Sequence, residues 1–386
     1  MLSLSPPALY LLSLMDGTRS TEALCRQFHL DTGHDVSLET VNTLIDHLET
    51  ARFLEGERFE VHYASLLSAY RSRGVRDMPH AFDLGVTDGS GAVFDEILAD
   101  AAPRAPMGVV RGVVAPHLDY PRGRPCYGSA YAALRDRPAP DRVIILGTNH
   151  FGRSTSVVLT GNDFETPLGR TAVDGAFIEA LEARCGDLRR YELDHQREHS
   201  IELQVGFVQH LFGTDAVTIV PVLCPDPCRP TGTAPYDGQG VDLKDFAKTL
   251  RTLIEADEGR DTLLIAGADL SHVGANFGDE RALDEDFLDE VRTHDRAMLK
   301  HLEANEPDVF VQTLASQENP TRVCSAGCLF VIRTVLRGAT AHILRYHQAV
   351  DQSTQCCVTC AAVALVEPSV EKGADRVDPP LVVPEQ

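Results

Sequence analysis

Residues 142 to 147, RVIILG, restrict the fold more than any other stretch. Four apolar residues, Val143 to Leu146, follow Arg142 without interruption, and Gly147 ends the run. So short a run, mostly β-branched and closed by glycine, reads as a strand buried on both faces, as in a parallel sheet covered by helices. The polar triplet Thr148-Asn149-His150 then falls at the strand's carboxyl end, where open α/β sheets bind ligands.

The same kind of run recurs from Met107 to about Val366 as GVVRGVVAP, AVTIVPVL, TLLIAG and CCVTCAAVALV. Helical segments alternate with these runs: PCYGSAYAALRD, GAFIEALEAR, SIELQVGFVQHLF, DLKDFAKTLRTLIEA and ALDEDFLDEVRTHDRAMLKHLEA. Alternation of this kind predicts an α/β domain with a mainly parallel central sheet over 106–368. From Val370 the tail is polar and Pro-containing, and 369–386 is expected to be disordered.

Residues 1–75 read as a separate unit. ALYLLSLMDG and TEALCRQF are helical, and SLETVNTLIDHLETARFL has apolar residues at helical period behind Ser37 as N-cap. GERFEVHY has strand-like composition, so the expected arrangement is three short helices closed by a small β wing. Six arginines and no lysine against ten acidic residues give this unit a net charge of −4, which argues against DNA. A docking or dimerisation role is the plainer alternative to peptide binding. Residues 76–105, bounded by Pro and Gly, read as a linker with one short helix.

The whole chain carries a formal charge of −22, which disfavours nucleic acid and anionic membranes as partners. No apolar run approaches the ~20 residues of a membrane helix. The N-terminus lacks the basic start and small-residue cleavage site of a signal peptide, so a cytoplasmic location is expected. Ten cysteines there are not expected to form a disulfide framework. Cys224 and Cys228 have no second pair at zinc-finger spacing, and Cys356, Cys357 and Cys360 fall in an apolar strand.

Three histidines follow three strand candidates: His117 in APHLDY, His150 in GTNHFG and His272 in ADLSHVG, the last with Asp269 before it. Matching positions on one sheet edge point to a metal site or an acid/base site. In EHSIELQV, Glu198 and Glu202 lie four apart at a helix start, with His199 beside them. Early carboxylates either stabilise the helix dipole or orient a metal-binding histidine. Cys324 opens the helix CSAGCLFVIRTVL, where a helix N-terminus is expected to favour thiolate, while Cys328 reads as core.

APHLDY, GTNHFG, EHSIELQV, ADLSHVG and the late Cys324, in that order, resemble the motifs of the Memo family. That family includes the AmmeMemoRadiSam system protein B group and has a class III extradiol dioxygenase-like fold. The resemblance implies a metal centre of iron or copper at His117, His150 and Cys324. It further implies His272 lining the pocket as proton donor or acceptor, Asp269 orienting it, and His199 and Glu198 on the pocket wall. Two imidazoles and a thiolate suit iron, copper or zinc over magnesium or calcium. The activity so implied is redox or oxygen-linked, and the alternative is a non-enzymatic metal- or peptide-binding protein that reuses the pocket. The first 75 residues resemble PqqD-like winged-helix domains, which bind leader peptides, with strand pairing at the wing edge as one possible mode. A radical SAM enzyme and an AMMECR1-like protein are the partners the family likeness implies. This chain departs from the family pattern at SAGCLF and at Leu118-Asp119, where Asp119 adds a carboxylate beside His117.

Overall fold

A computed structural model describes residues 4–80, 85–86, 89–101 and 108–367 in two compact units, Met1–Ser72 and Arg73–Gln386. The tail expected to be disordered lies outside the described residues. None of the described helices is long and apolar enough to cross a membrane.

The first unit is built on α1 (Pro6–Ser13), α2 (Thr21–Thr32), α3 (Leu38–Thr50) and α4, which starts at Glu57 and runs to Arg73. Ser20 and Ser37 cap α2 and α3 by accepting from Ala23 N–H and Thr40 N–H. Leu11, Leu24, Phe28 and Val41 form its small core. The expected β wing is absent: all of GERFEVHY after Gly56 lies in α4, and no strand occurs among the described residues of this unit. Strand pairing of a peptide at a wing edge therefore has no edge to use.

The second unit has β1 (Val75–Arg76), α5 (Ala92–Ala99), β2 (Val109–Ala115), α6 (Tyr120–Ala132), β3 (Arg142–Thr148), β4 (Val158–Leu159), β5 (Asp163–Thr166) and β6 (Gly169–Thr171). Then come α7 (Gly175–Cys185), α8 (His199–Phe212), β7 (Thr218–Cys224), α9 (Leu243–Ala256), β8 (Thr262–Gly267) and β9 (Asp269–Gly274). The series ends with α10 (Glu285–Glu303), α11 (Pro307–Ser316), α12 (Ala326–Val335), β10 (Thr340–Asp351) and β11 (Cys356–Glu367). The stretch expected to be a linker belongs in part to this unit, because β1 pairs with β5 and Arg76 is only 2% exposed.

The main sheet runs β10-β11-β2-β8-β3-β7-β4, with β9 paired to β11. Its centre, β2-β8-β3-β7, is parallel, and the flanking pairings are antiparallel. Alternation along β3 divides the core. Val143 and Ile145 pack with Tyr131 and Phe207 on one face, while Ile144 and Leu146 pack with Phe246 and Phe330 on the other. Both faces are covered by helices, which is why the run shows no polar alternation.

Helix α8 sits unusually close to the sheet. A Cβ at Gly147 would lie 2.5 Å from Ser200 Oγ, and one at Gly267 would lie 2.4 Å from Ser200 O. Gly147 is the last residue but one of β3 and Gly267 the last of β8, so the start of α8 can rest directly on the carboxyl edge. That approach brings His199 to the histidines of the strand ends.

Candidate metal centre

His117 lies two residues beyond β2, His150 two beyond β3, and Asp269 two beyond β8. The three strands are parallel, so equal offsets deliver these side chains to one edge of the sheet. His117, His150 and His199 each offer a ring nitrogen, and these atoms lie within 4.8 Å of one another. The His150 and His199 rings stack at 5.0 Å between centroids, and His117 stands edge-on to both, at 4.8 and 5.6 Å.

The surroundings fix these rings. Glu198, the N-cap of α8, accepts from His150 N–H at 2.8 Å, and its other oxygen lies 3.0 Å from His150 Nδ1 and 3.4 Å from His199 Nδ1. His117 Nδ1 is 3.0 Å from the Gly267 carbonyl, so it carries the proton. On His117 and His150 this leaves Nε2 as the unprotonated nitrogen. Histidine ligands usually have their other ring nitrogen committed in this manner.

Burial holds the imidazoles of His117 and His199 neutral. Desolvation, aided by the neighbouring His150 ring, pushes His117 down to about 3. Desolvation and then His117 bring His199 down to about 4. For Glu198 burial acts upward, but the His150 hydrogen bond and the nearby imidazoles outweigh it and hold the carboxyl at about 2. Neutral imidazoles beside an ionised carboxylate are the protonation states that bind a metal. Asp269 is 1% exposed, and burial raises its carboxyl above the usual range against the pull of His272 and the His117 N–H. A bound cation would compensate these two buried acids. The residues therefore fit a transition metal, whose borderline-soft character suits imidazole.

A family model described as Memo-like protein matches residues 90–364. The chain belongs to the Memo family. A MEMO1 family protein of Aquifex aeolicus is 30% identical over 334 residues, covering 86% of this chain and 83% of its own. One from Thermus thermophilus is 28% identical over 256 residues, covering 66% and 72%. One from Methanopyrus kandleri is 34% identical over 162 residues, covering 42% and 53%.

In this Memo-family chain Cys324, expected as a metal ligand, places Sγ 3.5 Å from His117 Nε2, whereas the close group of donors is the three imidazoles. Its thiol is not activated by the helix. Helix α12 starts two residues later, and burial pushes the thiol up, with the Asp269 charge adding to the shift. Asp269, expected to orient His272, instead accepts from His117 N–H at 3.0 Å, while His272 Nδ1 faces the Leu270 carbonyl at 3.1 Å. Asp119 caps α6 and is paired with Arg122 at 2.6 Å, so its carboxylate is already engaged. Cys224 is buried and hydrogen-bonded to Cys328, and no cysteine joins a metal-binding group among the described residues.

Other residues at the site carry no local signal in the sequence. Ser325 Oγ accepts from Asp269 N–H at 3.0 Å and from Thr148 Oγ1 at 3.1 Å, tying the ends of β3 and β8 to α12. Gln204 donates to the Pro116 carbonyl at 2.9 Å and accepts from Tyr131 OH at 2.7 Å, fixing the turn before His117. Arg76 holds the start of α8 from below, through the carbonyls of His195 and Glu198 and the carboxylate of Glu202.

The geometry around Glu198 predicts that Glu198→Gln keeps the shape but loses the charge that polarises His150. Metal affinity, measured by competition with a chelator, should fall about 10- to 100-fold. An unchanged affinity would show that the carboxylate does not support the site.

The imidazoles also set a pH dependence. His117 and His199 have folded values below the ordinary 6.5, as does His195, which desolvation brings down to about 3. The unfolded chain therefore takes up protons first as pH falls below 6.5, and each group costs at most about 1.4 kcal/mol per pH unit down to its folded value. Glu198, depressed from 4.5 to about 2, extends the loss of stability below pH 4.5. The thermal midpoint of metal-free protein should thus drop steeply between about pH 6.5 and 4. A flat midpoint across that window would contradict the burial of these rings.

Proposed function

We propose that this protein binds a redox-active transition metal, iron or copper, at His117, His150 and His199, and uses it for oxygen-linked chemistry on a small molecule. The observation that carries this reading is the convergence of three imidazole donors within 4.8 Å, two of them with the second nitrogen anchored. A metal of this kind, when bound, supplies Lewis acidity and one-electron chemistry that the side chains lack.

The protein's own groups divide the remaining work. His117 and Asp269 form a dry wall, each about 2% exposed, whereas the side chains of His150 and His199 are 22% and 29% exposed. Ligands can therefore approach from the His150 side. Glu198 keeps the His150 proton on Nδ1. His272, which burial holds neutral, can take or give a proton near Asp269. Cys324 stands beside His117 as a thiol that a cation at the imidazoles would draw toward thiolate.

Met1–Ser72 would serve to recruit a partner protein, with a radical SAM enzyme or an AMMECR1-like protein as the candidates. Its exposed Leu30, Phe53 and Val61 support a docking role.

Oxygen uptake tests the reading. Iron- or copper-loaded protein should consume oxygen with at least one member of a panel of catechols and thiols, and His199→Ala should abolish that uptake. Tight metal binding without uptake would put the non-enzymatic reading, a metal- or peptide-binding protein reusing a dioxygenase-like pocket, in its place.

A further inference from the structure

A fourth histidine, His80, stands beside the imidazole group without belonging to it. It falls in a stretch that reads as linker and precedes the Memo-like residues, which begin at 90. Its ring lies 6.0 Å from the His199 ring, centroid to centroid, at an angle of 65°. The donor atoms found within 4.8 Å of one another are those of His117, His150 and His199. His80 is thus the neighbour of a metal ligand, not a ligand itself.

This neighbour is held in place. Its backbone N–H donates to Glu202 Oε1 at 3.0 Å, and its Nδ1 lies 3.2 Å from Glu202 Oε2. Glu202 is buried and paired with Arg76 at 2.7 Å, so the anchor is itself fixed. Two contacts to one fixed carboxylate set both the position and the rotation of the imidazole. Nδ1 faces an acceptor and carries the proton. Nε2, turned away from Glu202, is then an acceptor in the neutral ring.

Anchoring alone does not call for an imidazole. The backbone contact to Glu202 is one that any residue but proline could make. The ring adds a polar edge, 39% exposed at the side chain, beside His199, which at 29% is itself open to ligands. Phe151 also borders His199, at 6.4 Å between rings, and is 74% exposed. A molecule approaching His199 therefore meets one polar ring and one apolar ring.

We propose that His80 binds the exogenous ligand of the metal, accepting at Nε2 a hydrogen bond from an O–H or N–H group close to the metal-bound atom. The substrate class is then a compact molecule that reaches the metal through one atom and carries a protic group a bond or two further on, with its apolar part against Phe151. The inference rests on the metal reading, because the ligand must be held by a cation at His117, His150 and His199.

Cobalt(II)-loaded full-length protein, titrated with imidazole and with 1-methylimidazole and followed by its d–d absorption, tests it. Both probes offer a metal the same bare ring nitrogen, but only imidazole carries an N–H on the far side. Wild type should bind imidazole about three- to tenfold more tightly than 1-methylimidazole, the effect of one hydrogen bond. His80→Ala should keep its cobalt and bring that ratio to about one. His80→Gln, whose amide reaches the place of Nε2, should restore a preference for imidazole. A preference that persists in His80→Ala comes from crowding of the methyl group elsewhere and overturns the proposal, as does equal binding of the two probes by wild type. Loss of cobalt in His80→Ala would also overturn it, by making the ring part of the metal shell. If wild type takes up no cobalt, the metal reading fails and this proposal with it, whereas full cobalt with no dependence on residue 80 defeats this proposal alone.

Discussion

His199→Ala, purified beside wild type and reconstituted with iron or copper, should retain less than about a tenth of the wild-type metal, and Cys324→Ser should retain most of it. The contrast follows from where the donors lie. Three ring nitrogens sit within 4.8 Å of one another, and Cys324 Sγ approaches the group at 3.5 Å from His117 Nε2. If the sulfur completes the shell on metal binding, Cys324→Ser loses the thiolate-to-metal absorption band of the copper form without losing the copper. The His117→Ala/His150→Ala variant should bind no metal at all, since one imidazole cannot hold what three do. Removing His117 also strips a neighbour from buried Asp269, so circular dichroism must show the variant folded before its metal content is read. Three variants with the same sub-stoichiometric metal as wild type would sink the site. Full metal in His199→Ala with loss in Cys324→Ser would restore the two-histidine, one-cysteine set that the sequence implied.

The strand ends were legible because each carries its own local signal. An unbroken apolar run stopped by Gly147 marks a doubly buried strand, and equal offsets from parallel strands put His117, His150 and Asp269 on one edge. The EHSIE segment was legible as a helix start, but not the reason for its position, which lies in the missing side chains of Gly147 and Gly267. The failure in the first unit has a similar cause. Phe59, Val61 and Tyr63 alternate as a strand would, yet Phe59, Tyr63, Leu67 and Tyr70 also recur at helical spacing. The helix wins: Phe59 stacks on Tyr63 one turn later, Tyr70 is buried and Val61 is left exposed. Cys324 was misjudged on its ionisation because proximity to a helix start is visible in sequence, whereas burial is not. Arg76 could not be found at all. It sits in a stretch that reads as a linker, and its partners lie more than a hundred residues away.

That arginine supplies the largest expected effect on stability. Arg76 and Glu202 are each about 1% exposed at the side chain and pair at 2.7 Å. Arg76 also donates to the carbonyls of His195 and Glu198, at 2.7 and 2.5 Å, while Glu202 accepts from His80 N–H at 3.0 Å. Arg76→Met leaves the Glu202 carboxylate in the dry interior with only His80 for company, and should cost about 3–5 kcal/mol of unfolding free energy. Removing the carboxylate as well is expected to recover much of that, since Arg76→Met/Glu202→Met creates no unpaired charge. Two carbonyls would still lack their donor, so recovery should be incomplete, and these carbonyls hold the turn that aims Glu198 at His150. The double variant should therefore unfold near the wild-type urea midpoint but bind metal several-fold more weakly. A loss below about 1 kcal/mol in Arg76→Met, or a double variant no more stable than the single one, would show that the buried pair is not what seats α8 on the sheet.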